Sequence, residues 1–279
     1  MNQKNIGATY MILSCLFFSL LAGLIKYIGN EIHAFQQAFF RNSLSILILL
    51  PFILFAKSNI FKTERVGLLI LRSFFGALTM ILLFLSYTLI PLNQAVTISF
   101  TTPLFIFLGG IFVFKEKVNY YQVSALFFGF CFIIMALSPK TGISIGSWVG
   151  LSAAIFHAIA GLIVKELTKT ESVLKLMFFM VLLMSAFTFF PAFFYWEGPK
   201  NNFSWLLLFS LAILGTLGNF FWTSAISIAN VTNIMPYDFT KLIFSALISF
   251  FCFNEKLDLQ VAISGIGIIL CNIVLFRKS

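Results

Sequence analysis

Ten runs of about 20 apolar residues follow one another along this chain, separated by short polar joints. That pattern constrains the fold more than any motif does. The runs lie near 6–28, 34–56, 66–89, 91–114, 120–138, 147–166, 173–195, 203–229, 231–253 and 259–276. Most match the length a helix needs to cross a hydrocarbon layer of about 30 Å at about 1.5 Å per residue. The longest joints, near 57–65 and 196–202, leave no segment for a soluble domain. An all-α polytopic membrane protein of ten transmembrane helices is therefore expected. Composition closes off the other classes: 60% of the 279 residues are hydrophobic and 10% charged, with a mean hydropathy of +1.03. A soluble globule of about 300 residues leaves about a quarter of its surface exposed and could not hide so much apolar area. Soluble enzyme, nucleic-acid module and disordered chain are excluded on that ground. The first run, 6–28, is too long for a signal-peptide core and lacks a small-residue cleavage pattern, so it reads as a retained span.

The net charge of +9 fits a membrane protein with basic cytoplasmic loops better than a nucleic-acid binder. Ten spans place both termini on one side. With the N-terminus inside, eleven basic residues fall in internal segments: Lys4, Lys57, Lys62, Arg65, Lys115, Lys117, Lys165, Lys169, Lys175, Arg277 and Lys278. Three fall outside: Lys140, Lys200 and Lys256. Trp148, Trp196 and Trp205 then sit at the outer interface, and Tyr120 and Tyr121 at the inner one, as aromatic anchors do. The expected location is a bacterial inner membrane, with cytoplasmic N- and C-termini. Cys15, Cys131, Cys252 and Cys271 lie inside apolar runs and read as small hydrophobes, and the two histidines are too far apart for a zinc motif. No disulfide, metal or cofactor is expected.

The chain also matches itself at a shift of 139 residues. Gly7 aligns with Gly146, Lys26 with Lys165, Phe100-Thr101 with Phe239-Thr240, and Glu116-Lys117 with Glu255-Lys256. Phenylalanine matches carry little weight in a chain with 38 of them, but the Lys and Glu-Lys matches do. Each half, 1–139 and 140–279, holds five spans. An odd number makes the second half enter from the opposite side, so two inverted five-helix repeats are predicted. Secondary transporters are built this way, with the substrate near the midplane between the repeats.

Charges within spans narrow the site. Each costs roughly 2.5–3.5 kcal/mol at the bilayer centre, so such residues face a cavity or a partner. Asp238, Lys241, Ser245 and Ser249 follow at i, i+3, i+7 and i+11, one stripe of a helix beginning near Pro236. Asp238 and Lys241 lie roughly 10–15 Å deep, either as a site or as a self-neutralising i, i+3 pair. The symmetry-related span carries Thr97, Thr101, Thr102 and Pro103, and Ser99 stands where Asp238 does. Arg41 and Arg72 lie roughly 9–11 Å inside their spans. His157 is near mid-span, Trp222 is the one tryptophan outside the outer belt, and Asn219 shares its face with Gly215. Lys26 and Lys165 are near span ends, where snorkelling is an equal reading. Glu116 and Glu255 end their spans and read as carboxylates that cap or pair at the interface.

Several stretches carry a family likeness: Ala38-Phe39-Phe40-Arg41, Leu71-Arg72-Ser73, Pro103-Leu104-Phe105, and the run from Pro236 to Phe244, PYDFTKLIF. With ten spans, a five-plus-five duplication and Glu ending spans four and nine, the chain resembles the EamA-type transporters of the drug/metabolite transporter superfamily. The run from Ile32 to Phe55 is similar to the S-adenosylmethionine uptake carriers within it. The resemblance implies a bacterial inner-membrane carrier of a small metabolite and leaves the substrate open.

The expected function is transport of an amino-acid-like, nucleoside-like or otherwise zwitterionic or anionic solute by alternating access. S-adenosylmethionine uptake or exchange is the alternative. Four in-span cations (Lys26, Arg41, Arg72, Lys241) against one anion (Asp238) favour an anionic handle on the solute. Tyr237, Asp238, Lys241, Thr101, Arg41, Arg72, His157 and Trp222 are the candidate substrate contacts. No G-x-x-x-x-G-K-[ST] loop is present to use ATP. A lipid-modifying enzyme would need a clustered acid/base pair or metal, and a channel a continuous polar ring; the pattern offers neither. The expected partners are a small solute and lipid, not nucleic acid, and both monomer and homodimer are compatible with the pattern.

Overall fold

A computed structural model describes residues 3–55, 63–102, 104–106, 108–109, 120–136, 144–228, 237–238, 240–255 and 259–277. Their regular structure is helical, in ten named segments. These are α1 (Gln3–Ile28), α2 (Ala34–Leu54), α3 (Val66–Leu89), α4 (Leu92–Ser99), α5 (Tyr120–Ala136), α6 (Ile145–Leu167), α7 (Val173–Phe194), α8 (Asn202–Ile228), α9 (Thr240–Phe253) and α10 (Leu259–Arg277). All ten predicted spans have a helix, and α1, α2, α3, α6, α7 and α8 are long and apolar enough to cross a membrane. Glu116 and Pro236 lie outside the described residues.

Local chemistry sets several boundaries. Ser144 caps α6 by accepting from Ser147 N–H at 3.2 Å, and Ser172 caps α7 by accepting from Lys175 N–H at 3.4 Å. His33 Nδ1 accepts from Phe35 N–H at 3.3 Å at the start of α2. Pro91 follows α3, whose capping residue Ile90 is extended, as a residue before proline prefers. The fourth span departs from expectation. A continuous helix over 91–114 is predicted, but α4 stops at Ser99. The Phe100 and Thr101 amides bond to Thr97 and Ile98, three residues back. Beyond this turn residues 102, 104–106 and 108–109 are helical again, and the Leu104 and Phe105 amides bond to the Thr101 carbonyl. In the sequence Pro103 follows Thr102, and a proline has no N–H to continue the i→i−4 ladder.

Packing respects the repeat. Renumbering helix n as n+5 turns the α3–α6 interface into α8–α1, α1–α9 into α6–α4, and α2–α8 into α7–α3, and every one of these pairs is in contact. α2–α7, α4–α9 and α5–α10 map onto themselves and are also in contact. The first repeat therefore packs largely against the second, and exchanging the two repeats preserves the pairings. Small residues let the equivalent pairs approach. A Cβ on Gly150 of α6 would stand 2.8 Å from Ser86 Oγ of α3, and one on Gly218 of α8 would stand 2.8 Å from the Phe18 ring of α1. Polarity is arranged for lipid: Arg41, Asn42, Ser45 and Thr97 are buried, while Phe127, Phe190 and Phe251 are exposed.

The joints on each side meet in the pairs the topology requires. Arg65 pairs with Glu166 at 3.3 Å, Thr63 Oγ1 donates to Glu171 at 2.7 Å, and Lys175 pairs with Glu171 at 2.7 Å. These contacts tie the α2–α3 joint to the α6–α7 joint. At the other end, His33 stacks on Tyr195 at 4.2 Å, linking the α1–α2 joint to the α7–α8 joint. Burial pushes the Glu171 carboxyl upward, but hydrogen bonds from Lys175 and Thr63 outweigh it and hold the group below its ordinary 4.5. A carboxylate with a depressed pKa stabilises the fold above its unfolded pKa and loses that contribution as pH falls through the folded value. Acidification to below the ordinary glutamate range is therefore expected to loosen this link first. Hydrogen exchange should speed up in peptides covering 63–68 and 168–175 before it does in 195–204; simultaneous loosening at both ends would contradict the assignment.

Candidate functional site

Between the repeats lies a cavity of about 150 Å³, lined by α1, α2, α3, α6, α7, α8 and α9. Phe18, Arg41, Arg72, Thr79, Met80, Tyr87, His157, Met184, Asn219 and Lys241 contribute to its wall. A second lobe of about 70 Å³ is lined by Ser99, Thr102, Trp222 and Asp238, among others. Thr79, Leu83, His157 and Lys241 line both lobes. His157 has substantial accessible surface although it lies at mid-helix, because it borders this internal space.

Arg41 is the largest fully buried side chain among the described residues. Its Nη1 donates to Asn42 Oδ1 and its Nη2 to the Gly215 carbonyl, both at 2.8 Å. Asn219 Nδ2 donates to that same carbonyl at 2.8 Å, so α8 presents a fixed polar edge to α2. Arg41 Nε is buried without a hydrogen-bond partner. Arg72 Nη1 lies 3.4 Å from Met184 Sδ. Among the described residues neither arginine has a carboxylate within 4.0 Å.

Lys241 Nζ sits 5.7 Å from the centroid of the Phe18 ring, a cation–π contact. Ser19 Oγ of α1 donates to the Lys241 carbonyl at 3.2 Å, and Cys15 Sγ, one turn earlier, donates to Asp238 Oδ1 at 3.4 Å. One face of α1 thus orients the start of α9. The self-neutralising Asp238–Lys241 ion pair is not formed: among the described residues no ammonium-to-carboxylate distance of 4.0 Å or less joins these two. Asp238 faces only the smaller lobe.

Of the eight residues expected at the site, the structure gathers six: Arg41, Arg72, His157, Trp222, Asp238 and Lys241. Thr101 is fully buried at the α4 break, with Oγ1 unpartnered, and Tyr237 is partly exposed; neither is in the lining of either lobe. Lys26 leaves the cavity set because it pairs with Glu255 at 2.8 Å. Cys15 is a thiol donor to a carboxylate as well as a small hydrophobe. Tyr87 and the thioethers of Met80, Met180 and Met184 have no distinguishing sequence signal, whereas Asn219 and Thr79 sit on polar helical faces visible from spacing.

The lining therefore carries three cations, Arg41, Arg72 and Lys241, and one carboxylate, Asp238. Removing such charges from water costs several kcal/mol per ion, and a bound counter-charge offsets that cost. Guanidinium groups match carboxylate and phosphate oxygens in particular.

The EamA-like transporter family model matches residues 5–138 and 144–277. The S-adenosylmethionine uptake transporter of Rickettsia prowazekii is 30% identical over 256 residues, 90% of this chain and 86% of that protein. The riboflavin transporter of Vibrio cholerae is 25% identical over 255 residues, 89% of this chain and 85% of that protein. A crystal structure at 14% identity superposes with a TM-score of 0.68, covering 99% of this chain and 98% of its own, and supports the fold alone.

Proposed function

This chain belongs to the EamA-like transporter family, and from that premise we propose that it moves a zwitterionic or anionic small metabolite by alternating access between repeats 1–139 and 140–279. Transport of a small metabolite across a membrane is the function its relatives carry. The observation supporting the substrate class is the cavity's excess of cations, two of them guanidinium groups without a carboxylate partner among the described residues. Arg41, Arg72 and Lys241 bind the anionic group of the solute. Asp238 receives an amine or sulfonium, or a coupling proton. Trp222 offers a stacking face to a ring. The membrane is a bacterial inner membrane, with both termini cytoplasmic, as the eleven-to-three distribution of basic residues favours.

The likeness to the Rickettsia protein makes S-adenosylmethionine the first solute to test. Its carboxylate suits the arginines, its ammonium and sulfonium suit Asp238, and its adenine suits Trp222. Purified protein in proteoliposomes is expected to show saturable uptake of labelled S-adenosylmethionine and counterflow against an internal load. No uptake, with a zwitterionic amino acid or nucleotide taken up instead, would replace the substrate and keep the class. If Asp238 couples protons, Asp238→Asn abolishes accumulation driven by a pH gradient and spares exchange. Uphill uptake at the parental level in that variant would remove the proton role.

A further inference from the structure

Glu255 gathers partners from both repeats at one end of the bundle. Its Oε1 pairs with Lys26 Nζ of α1 at 2.8 Å. Its Oε2 accepts from the Leu92 amide at the start of α4 at 2.9 Å and from Ser249 Oγ of α9 at 2.6 Å. Lys26 Nζ also donates to the Ile90 carbonyl at 2.9 Å and lies 5.7 Å from the centroid of the Phe253 ring. Asn254, at φ 51°, puts the chain in a left-handed turn that Asn tolerates. The Glu255 amide then bonds back to Ser249 O at 3.1 Å, which fixes where the carboxylate can reach.

The position relative to the cavity gives this cluster its meaning. Lys26 is eight residues past Phe18 on α1, and Ser249 is eight residues past Lys241 on α9, roughly 12 Å along each helix. Phe18 and Lys241 line the cavity. The cluster therefore lies about two turns beyond the cavity, toward the end where α1, α3 and α9 finish. Lys26, Ile90 and Leu92 belong to the first repeat; Ser249, Phe253 and Glu255 belong to the second. A carboxylate that accepts from an ammonium, a hydroxyl and the amide of a helix N-terminus is held by charge-assisted bonds. Separating the repeats at this end breaks the Lys26 and Leu92 bonds together.

We propose that Glu255 is the latch of one gate: its bonds to Lys26 and Leu92 hold that mouth shut here and break each time the cavity opens to that side. The inference rests on the chain working by alternating access, and it places the latch on the outer face in the orientation given above.

The test follows access to the cavity rather than solute. Ala160→Cys places a thiol in the cavity wall. Its modification by an impermeant anionic thiosulfonate is followed by peptide mass in cells and in everted vesicles. Adding Lys26→Met or Glu255→Gln is expected to speed modification at least about tenfold from one face only. The double variant should be no faster than the faster single, because both break one contact. An unchanged rate in folded protein, or an equal rise from both faces, would overturn the latch. Should these variants fail to fold, Lys26→Cys with Glu255→Cys, in a Cys131→Ser, Cys252→Ser background, replaces the latch with a cleavable bis-thiol bridge. Bridging is expected to stop modification of the Ala160→Cys thiol from that face, and reductant to restore it; modification at the unbridged rate overturns the proposal. Because the readout needs no substrate, failure of S-adenosylmethionine uptake leaves the latch standing. A rise from the inner face would reverse the orientation alone.

Discussion

Arg72→Met is expected to raise the KM for S-adenosylmethionine by about 30-fold or more in proteoliposomes while leaving the fold intact. Losing one partner of a desolvated charge pair costs about 2–5 kcal/mol, and each 1.4 kcal/mol is about tenfold in affinity. Folding should survive because of what Arg72 touches. It has no ion-pair partner among the described residues, and its Nη1 contacts a thioether, Met184 Sδ. Methionine then fills similar space without stranding a strong acceptor, so the melting temperature should hold or rise. Arg41→Met should lose as much uptake but also fold less stably, since Asn42 Oδ1 loses its donor at the cost of about 1–3 kcal/mol. Arg72→Lys should not restore function, because an ammonium cannot reproduce the two-pronged contact of a guanidinium. An unchanged KM in folded Arg72→Met would remove Arg72 from the site.

Gly215→Ala is the other large effect expected, and it comes from a residue without a side chain. A Cβ at 215 would fall 2.3 Å from Arg41 Nε and 2.9 Å from its Nη2. Those atoms belong to a buried group held at both ends, so the guanidinium must leave its place and break the bond to Gly215 O. Overpacking of this kind costs about 1–3 kcal/mol. Uptake should fall about as far as in Arg41→Met, although the arginine is still present. Gly67→Ala provides the control: nothing lies within 4 Å of a Cβ there, and uptake should stay at the parental level. Equal behaviour of the two alanine variants would show that Arg41 is not held where the structure puts it.

The helices were legible because lipid imposes a simple rule: each span must satisfy its own backbone and present apolar atoms outward for about 20 residues. The same rule made Arg41, Arg72, Asp238 and Lys241 stand out, since charge inside a span demands company. Spacing along one helix placed Asp238 and Lys241 on one stripe but implied nothing about their distance from each other. The i, i+3 pairing that a regular helix would allow is replaced by Cys15 on one residue and the Phe18 ring on the other. The break in span four was not foreseen although Pro103 stands beside it, and neither was its consequence, a buried and unpartnered Thr101 hydroxyl outside the lining of either lobe.

Lys26 and Glu255 illustrate the division best. Each is readable alone as a charge near a span end, one able to snorkel and the other to cap. They are 229 residues apart, and no periodicity joins them. Hydropathy, charge bias and the 139-residue repeat settled what is repetitive and local: the number of crossings, their inverted halves and which side chains are too costly to face lipid. Tertiary packing decided which of those costly groups meet. That choice depends on how α1, α4 and α9 lean on one another across the two repeats, a long-range geometry that a one-dimensional pattern does not encode.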